Sequence, residues 1–138
     1  MTQDQKQKLM EVMKNNGKWP LILEGAKAEM LKGAVVLPAN TSTENLGILP
    51  AEKDYVVPTW LKQLSQKSKR LKRVFLVIDG LENINGQDQE KFYGLFKYKG
   101  VNGYNLPDNV QILIPIKLGE VDKINDKLQA LSITYKVN

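Results

Sequence analysis

The stretch 74–79, VFLVID, is apolar on five successive residues and then stops at Asp79-Gly80. A strand with one wet face alternates apolar and polar side chains. A strand buried on both faces does not, and such strands belong to parallel sheets covered by helices. The runs PLILEG (20–25), AVVLPA (34–39) and VQILIPIK (110–117) share this character, and ITYKV (133–137) closes the chain as a last short strand. Helical signals fall between them. Thr2 and Gln5 form a capping-box pattern for a helix over 3–15 that stops near Gly17. AKAEMLKG supplies one or two helical turns. Pro58 opens a helix with Trp60, Leu61, Leu64, Ser68 and Leu71 on one face. A helix over 86–99 turns Phe92, Leu95 and Phe96 inward, and Val121, Ile124, Leu128 and Leu131 recur at helical spacing. Strands alternating with helices imply right-handed crossovers, and hence an α/β three-layer sandwich around a mostly parallel sheet of about five strands.

Two segments lack such a pattern. The polar stretch 40–57 is the longest irregular segment, and 100–109 reads as a turn-rich connection. Pro115 predicts that the end of the fourth strand lies at the sheet margin.

At 138 residues the chain is read as a single domain, 1–138. It contains no cysteine and no histidine, which excludes disulfides, thiol nucleophiles, Cys/His zinc sites and Ser-His catalysis. Acid–base chemistry would fall to Asp, Glu, Lys or Tyr. The first nineteen residues hold no long apolar run, so neither a signal peptide nor a membrane span is expected there, and the chain is read as cytoplasmic.

The net charge of +5 is unevenly placed. Residues 1–61 are neutral and 74–138 sum to −1, whereas 62–73, KQLSQKSKRLKR, hold six cations and no acid. Solvated faces normally mix signs. Lys62, Lys67, Lys69, Arg70, Lys72 and Arg73 are therefore candidate contacts for nucleic-acid phosphates or an acidic partner. The bland alternative is a solvated helix face opposite Trp60 and Leu64. The aromatic stretch FYGLFKYKGVNGY (92–104) could stack bases, but Phe92 and Phe96 have core spacing, which leaves Tyr98 and Tyr104 as its exposed rings.

Ligands of open α/β sheets bind beyond the carboxyl ends of the strands. Glu24-Gly25, Asp79-Gly80 and Lys117 fall at those ends. The order of segments there resembles AAA+ ATPases, particularly MoxR-like ones. LILEG with a short helix resembles their first strand and phosphate loop, NLGILP the segment after their second strand, and VPTWLKQL the helix before Walker B. VFLVIDGLENI resembles Walker B itself, and DQEKFYGLFKYKGVNGYNLPDNVQILIPI the helix, turn and sensor strand that follow. The resemblance implies a P-loop NTPase-like fold in which Glu24, Gly25, Asp79 and Glu82 hold vestigial nucleotide-site positions.

The departures bear on activity. GAKAEMLKG keeps Gly25 but lacks the inner glycines and the Lys-Ser/Thr pair that cradle phosphates and Mg²⁺. Gly80 stands where a Walker B strand carries its water-polarising Glu, and Asp79-Gly80 also reads simply as a strand ending in a turn. The asparagine of a sensor strand is missing around Pro115 to Lys117, and the 138 residues stop where the resemblance would place the start of a lid domain. The resemblance thus implies a scaffold without the hydrolysis: a non-catalytic binding or regulatory module acting through a protein partner, with no cofactor and no metal. The alternatives are a sequence-independent nucleic-acid-binding protein using 62–73, and a nucleotide-binding, ATPase-related protein using Asp79 and Glu24.

Overall fold

The computed structural model describes residues 2–47 and 57–137. In chain order the helices are α1 (Gln3–Asn15), α2 (Thr43–Leu46), α3 (Thr59–Ser68), α4 (Gly86–Gln89), α5 (Tyr93–Tyr98) and α6 (Asp126–Ala130). The strands are β1 (Leu21–Glu24), β2 (Val35–Pro38), β3 (Val74–Asp79), β4 (Gly100–Val101), β5 (Tyr104–Asn105), β6 (Val110–Ile116) and β7 (Ile133–Lys136). Five of these form one sheet in the order β2-β3-β6-β1-β7, with every neighbouring pair parallel.

This order dictates the layers. The connections β2→β3, β3→β6 and β6→β7 all advance in one direction across the sheet, while β1→β2 runs the other way. Right-handed crossovers therefore send the first three to one face and the last to the opposite face. The core divides accordingly. Ile22, Leu76, Ile78, Ile112 and Ile114 pack under Trp60, Leu64, Phe92, Leu95, Phe96 and Leu128 of α3, the α4–α5 segment and α6. Leu21, Leu23, Val77 and Leu113 point the other way, against Leu9 and Met13 of α1 and Ala28 and Leu31 in and beside the 3₁₀ turn Ala28–Met30. Neighbouring strand residues serve opposite faces that are both covered, which is why VFLVID and VQILIPI show no polar alternation.

Helix α1 begins as its capping box requires. The Gln5 N–H donates to Thr2 Oγ1 at 3.2 Å and the Thr2 N–H to Gln5 Oε1 at 2.8 Å. Elsewhere the helical pattern is more broken than the periodicity suggests. The expected helix over 86–99 is α4, a 3₁₀ turn and α5, and the repeat over 121–131 is a 3₁₀ turn followed by α6. The connection 100–109 contains the two-residue antiparallel pair β4–β5. In the irregular segment 40–57, α2 is a single capped turn, and 48–56 lie outside the described residues.

Pro115 is a correction. It lies inside β6, a central strand, and is buried beside Leu23 of β1. The β3–β6 register ends at Leu113, so Pro115 falls past that ladder and is paired only on the β1 side. It thus sits beyond the end of one ladder rather than at the edge of the sheet.

Helix α3 also ends earlier than its pattern. It stops at Ser68, and Leu71, expected on the buried face, is half exposed. The Asn109 amide terminates the helix by donating to the Ser68 carbonyl at 3.0 Å and the Leu71 carbonyl at 2.9 Å. Residues 69–73 are consequently a turn, and the six cations do not share one helical face.

Candidate functional site

The sheet order places the topological switch point between β1 and β6. The chain leaves β1 toward one face and β6 toward the other, so a crevice is expected beyond their carboxyl ends. Glu24 and Gly25 lie on one side of the β6 terminus, and Asp79, Gly80 and Glu82 lie on the other, because β1 and β3 flank β6. The structure thus brings Glu24, Gly25 and Glu82 to the end of β6 and the loop after it, with Asp79 at the end of the neighbouring strand β3.

The chain's own groups occupy that location. Glu24 Oε2 accepts the Gly119 N–H at 2.6 Å, and Glu82 Oε2 accepts the Lys117 N–H at 2.7 Å. Two carboxylates from opposite sides therefore hold the loop after β6 by charge-assisted hydrogen bonds. The Gly25 N–H donates to the Ile116 carbonyl at 2.8 Å, and Lys117 Nζ to Asn83 Oδ1 at 3.1 Å. Gly25 has φ +92°, and a Cβ there would stand 2.7 Å from the Val137 carbonyl oxygen. Its glycine is explained by a left-handed turn and a close backbone approach, with no phosphate needed.

Glu82 is only 8% exposed, and its second oxygen, Oε1, has no hydrogen-bond partner among the described residues. Its charge adds to those of Glu120 and Asp122 in holding the Lys123 ammonium above its usual pKa, with the 2.7 Å ion pair to Glu120 as the largest cause. The Asp79 carboxylate is exposed, and the Asp79 carbonyl accepts the Ala39 N–H at 2.8 Å. No group of three or more metal-ligating side chains is found among the described residues.

Behind this edge a buried amide ties the loops together. Gln89 is fully buried, and its Nε2 lies 3.1, 3.0 and 2.8 Å from the carbonyls of Leu81, Ile84 and Lys123. Its Oε1 accepts the Asn125 N–H at 2.6 Å. The segments after β3 and β6 are thereby fixed to each other as well as to Glu82. An open hollow of about 690 Å³ does lie near Asn40, Thr43, Ile84, Gln87, Asp88 and Lys91, but none of Glu24, Gly25, Asp79 and Glu82 lines it.

The basic segment is divided by the fold. Lys62 is exposed on α3, and Lys67 Nζ donates to the Gly33 carbonyl at 2.6 Å. Lys69 and Arg70 are exposed in the turn after the helix, with Arg70 beside the edge strand β2. Lys72 and Arg73 face the amino end of the sheet. There they meet residues that the reading of 62–73 missed: Lys14, Lys18 and Trp19 line the same cleft of about 490 Å³.

Arg73 packs over Gly17, where a Cβ would stand 3.0 Å from the guanidinium Nη2. Trp19 is 51% exposed, and Gln111 on β6 is buried with Nε2 donating to the Asn16 carbonyl at 3.0 Å. Nearby, Lys99 Nζ donates to the Lys18 carbonyl. Burial, and secondarily the Lys18 charge, hold the Lys99 ammonium below its usual pKa. A local signal for this grouping did exist in the Gly17-Lys18-Trp19-Pro20 run before β1. Its partnership with Lys72-Arg73 depends on the strand order.

Of the aromatics, Phe92, Leu95 and Phe96 are buried, and Tyr98 and Tyr104 are exposed on the opposite side of their helix and in the hairpin. No helix among the described residues is long and apolar enough to cross a membrane. Neither a protein-family model nor a curated protein sequence matches the chain.

Proposed function

We propose that this chain is a non-catalytic α/β module, AAA-like in its order of segments, that acts through a protein partner in a binding or regulatory role in the cytoplasm. One observation carries the reading. Glu24 and Glu82, the carboxylates best placed to serve a nucleotide or metal, are both engaged with the backbone of the loop after β6. Phosphoryl transfer depends on positioning and on charges aimed at the reacting phosphate. Here the acceptors face inward, Gly25 is packed against Val137, and the sequence around it lacks the phosphate-loop lysine. Asp79 remains exposed, with no side-chain partner among the described residues.

The test combines an ATP hydrolysis assay with affinity capture from the native host, with and without nuclease treatment. The reading predicts no hydrolysis above the Asp79→Ala background and a stoichiometric protein partner that survives nuclease. Turnover at micromolar Mg²⁺-ATP that is abolished by Asp79→Ala overturns it in favour of a nucleotide-binding, ATPase-related protein.

A second reading, sequence-independent nucleic-acid binding, is favoured by the cations gathered at the opposite edge of the sheet. Capture that disappears with nuclease supports it over a protein partner.

A further inference from the structure

The amino edge of a parallel α/β sheet is where the covering helices end, and their carbonyl ends attract cations. That accounts for Lys14 and Lys67, which lie in the last turns of α1 and α3. It does not account for Lys18, Lys72 and Arg73, which lie beyond the helices. The cleft they line holds four cations, Lys14, Lys18, Lys72 and Arg73, against one carboxylate, Asp108. None of the five makes an ion pair within the described residues. The Lys99 ammonium, on the Lys18 carbonyl, adds a further charge beside them. Such a grouping repels itself, and an external polyanion relieves it.

We propose that this cleft binds the phosphate backbone of a single-stranded nucleic acid, with Lys14, Lys18, Lys72 and Arg73 on successive phosphates and the Trp19 indole stacking on a base. The proposal rests on the nucleic-acid reading above. It moves the contact from a face of α3 to a cleft shared by α1, the turn before β1 and the turn before β3. The exposed indole decides between polyanions. Every base offers a π face, so an exposed aromatic beside a basic groove suits an unpaired strand. In a duplex the bases are stacked out of reach of Trp19, and an acidic peptide need present no ring to it. Of the amides lining the cleft, Asn16, Asn109 and Gln111 already donate to backbone carbonyls, which leaves Asn15 as the one uncommitted amide there among the described residues, so binding tolerates sequence.

The experiment is a titration of the full chain with a labelled oligothymidylate, read by anisotropy and by tryptophan fluorescence. The chain has two tryptophans and Trp60 is buried, so quenching reports Trp19. With four phosphates contacted, affinity falls about 50-fold over a roughly fourfold rise in salt. Trp19→Ala weakens binding about fivefold or more and removes the quench. Lys18→Glu with Arg73→Glu abolishes most binding. Lys136→Glu, a single charge reversal at the opposite edge, leaves it near the wild-type value, whereas Lys18→Glu alone already weakens it. Circular dichroism confirms that each variant is folded.

Binding that ignores Lys18, Trp19 and Arg73 overturns this site while leaving the nucleic-acid reading intact. No saturable binding at low salt overturns both. Equal affinity for duplex without quenching, or displacement by polyglutamate as effective as by oligothymidylate, overturns the single-strand assignment.

Discussion

Replacing Gln89 by leucine tests how the loops at the carboxyl edge are held. The side chain is fully buried, and leucine is close to it in volume, so the change removes hydrogen bonding more than packing. One amide group serves the carbonyls of Leu81, Ile84 and Lys123, and its oxygen takes the Asn125 N–H. The Leu81 carbonyl keeps a weak bond at 3.4 Å from the Ile84 N–H, whereas the other groups lose the side-chain partner that anchors them. Each buried polar group left unpaired costs roughly 1–3 kcal/mol, and the half-buried Asn125 recovers part of this from water. The net loss is about 3 kcal/mol, a large share of the roughly 5–15 kcal/mol typical of a domain. It corresponds to a fall of about 10 °C in Tm for a chain of this size. Urea unfolding followed by the buried Trp60 measures it. Gln129→Leu is the internal comparison, since that half-buried amide bonds only the Val121 and Ile124 carbonyls and its loss costs about 1 kcal/mol. A Gln89→Leu loss no larger than that of Gln129→Leu would refute the reasoning.

Further outcomes follow from single positions. Gly25→Ala combines a left-handed φ with a Cβ placed 2.7 Å from the Val137 oxygen, and costs about 3 kcal/mol by denaturant melting; Gly33→Ala, equally left-handed but with open space, costs about 1 kcal/mol. An equal cost at the two positions would remove the close-approach explanation. Asn109→Ala frees the Ser68 and Leu71 carbonyls, lowers stability by about 1–2 kcal/mol, and speeds tryptic cleavage at Lys69 and Arg70. Unchanged cleavage would show that the turn is held by other contacts. For Lys99, a folded-state pKa below the ordinary 10.5 means the unfolded chain binds more protons in that range, so its penalty is full at lower pH and lifts as pH rises toward 10.5. Wild type should therefore gain a fraction of a kcal/mol on Lys99→Met in alkaline solution, after allowance for solvent screening. A constant difference across that range would contradict the assignment.

The fold was largely legible because both faces of the sheet are covered. That gives continuous apolar runs, and β1, β2, β3 and β6 fall within them to about one residue. The helix α1 was legible through its capping box, a purely local signal. The break between α4 and α5 was not, because Phe92, Leu95 and Phe96 keep core spacing across a 3₁₀ turn. The hairpin β4–β5 has too few residues to show a period. The end of α3 is set by Asn109, far along the chain, so the basic segment looked like one helical face when it is a helix followed by a turn.

The site shows the same division. That Glu24, Gly25, Asp79 and Glu82 converge could be argued from strand ends, because parallel strands all finish on one edge. What the glutamates do there could not, since their partners Gly119 and Lys117 are distant in sequence and come close only through the strand order. The cleft of Lys18, Trp19, Lys72 and Arg73 depends on that same order.

The central claim is that the carboxyl edge is closed by the chain's own carboxylates. Its most direct test is an NMR titration with Mg²⁺-ATP that follows the backbone amides of Gly25, Lys117 and Gly119. The account predicts that these three resonances stay in place into the millimolar range, because Ile116, Glu82 and Glu24 already occupy their N–H groups. Saturable shifts at these amides at micromolar nucleotide would contradict it and restore the switch point as a working nucleotide site.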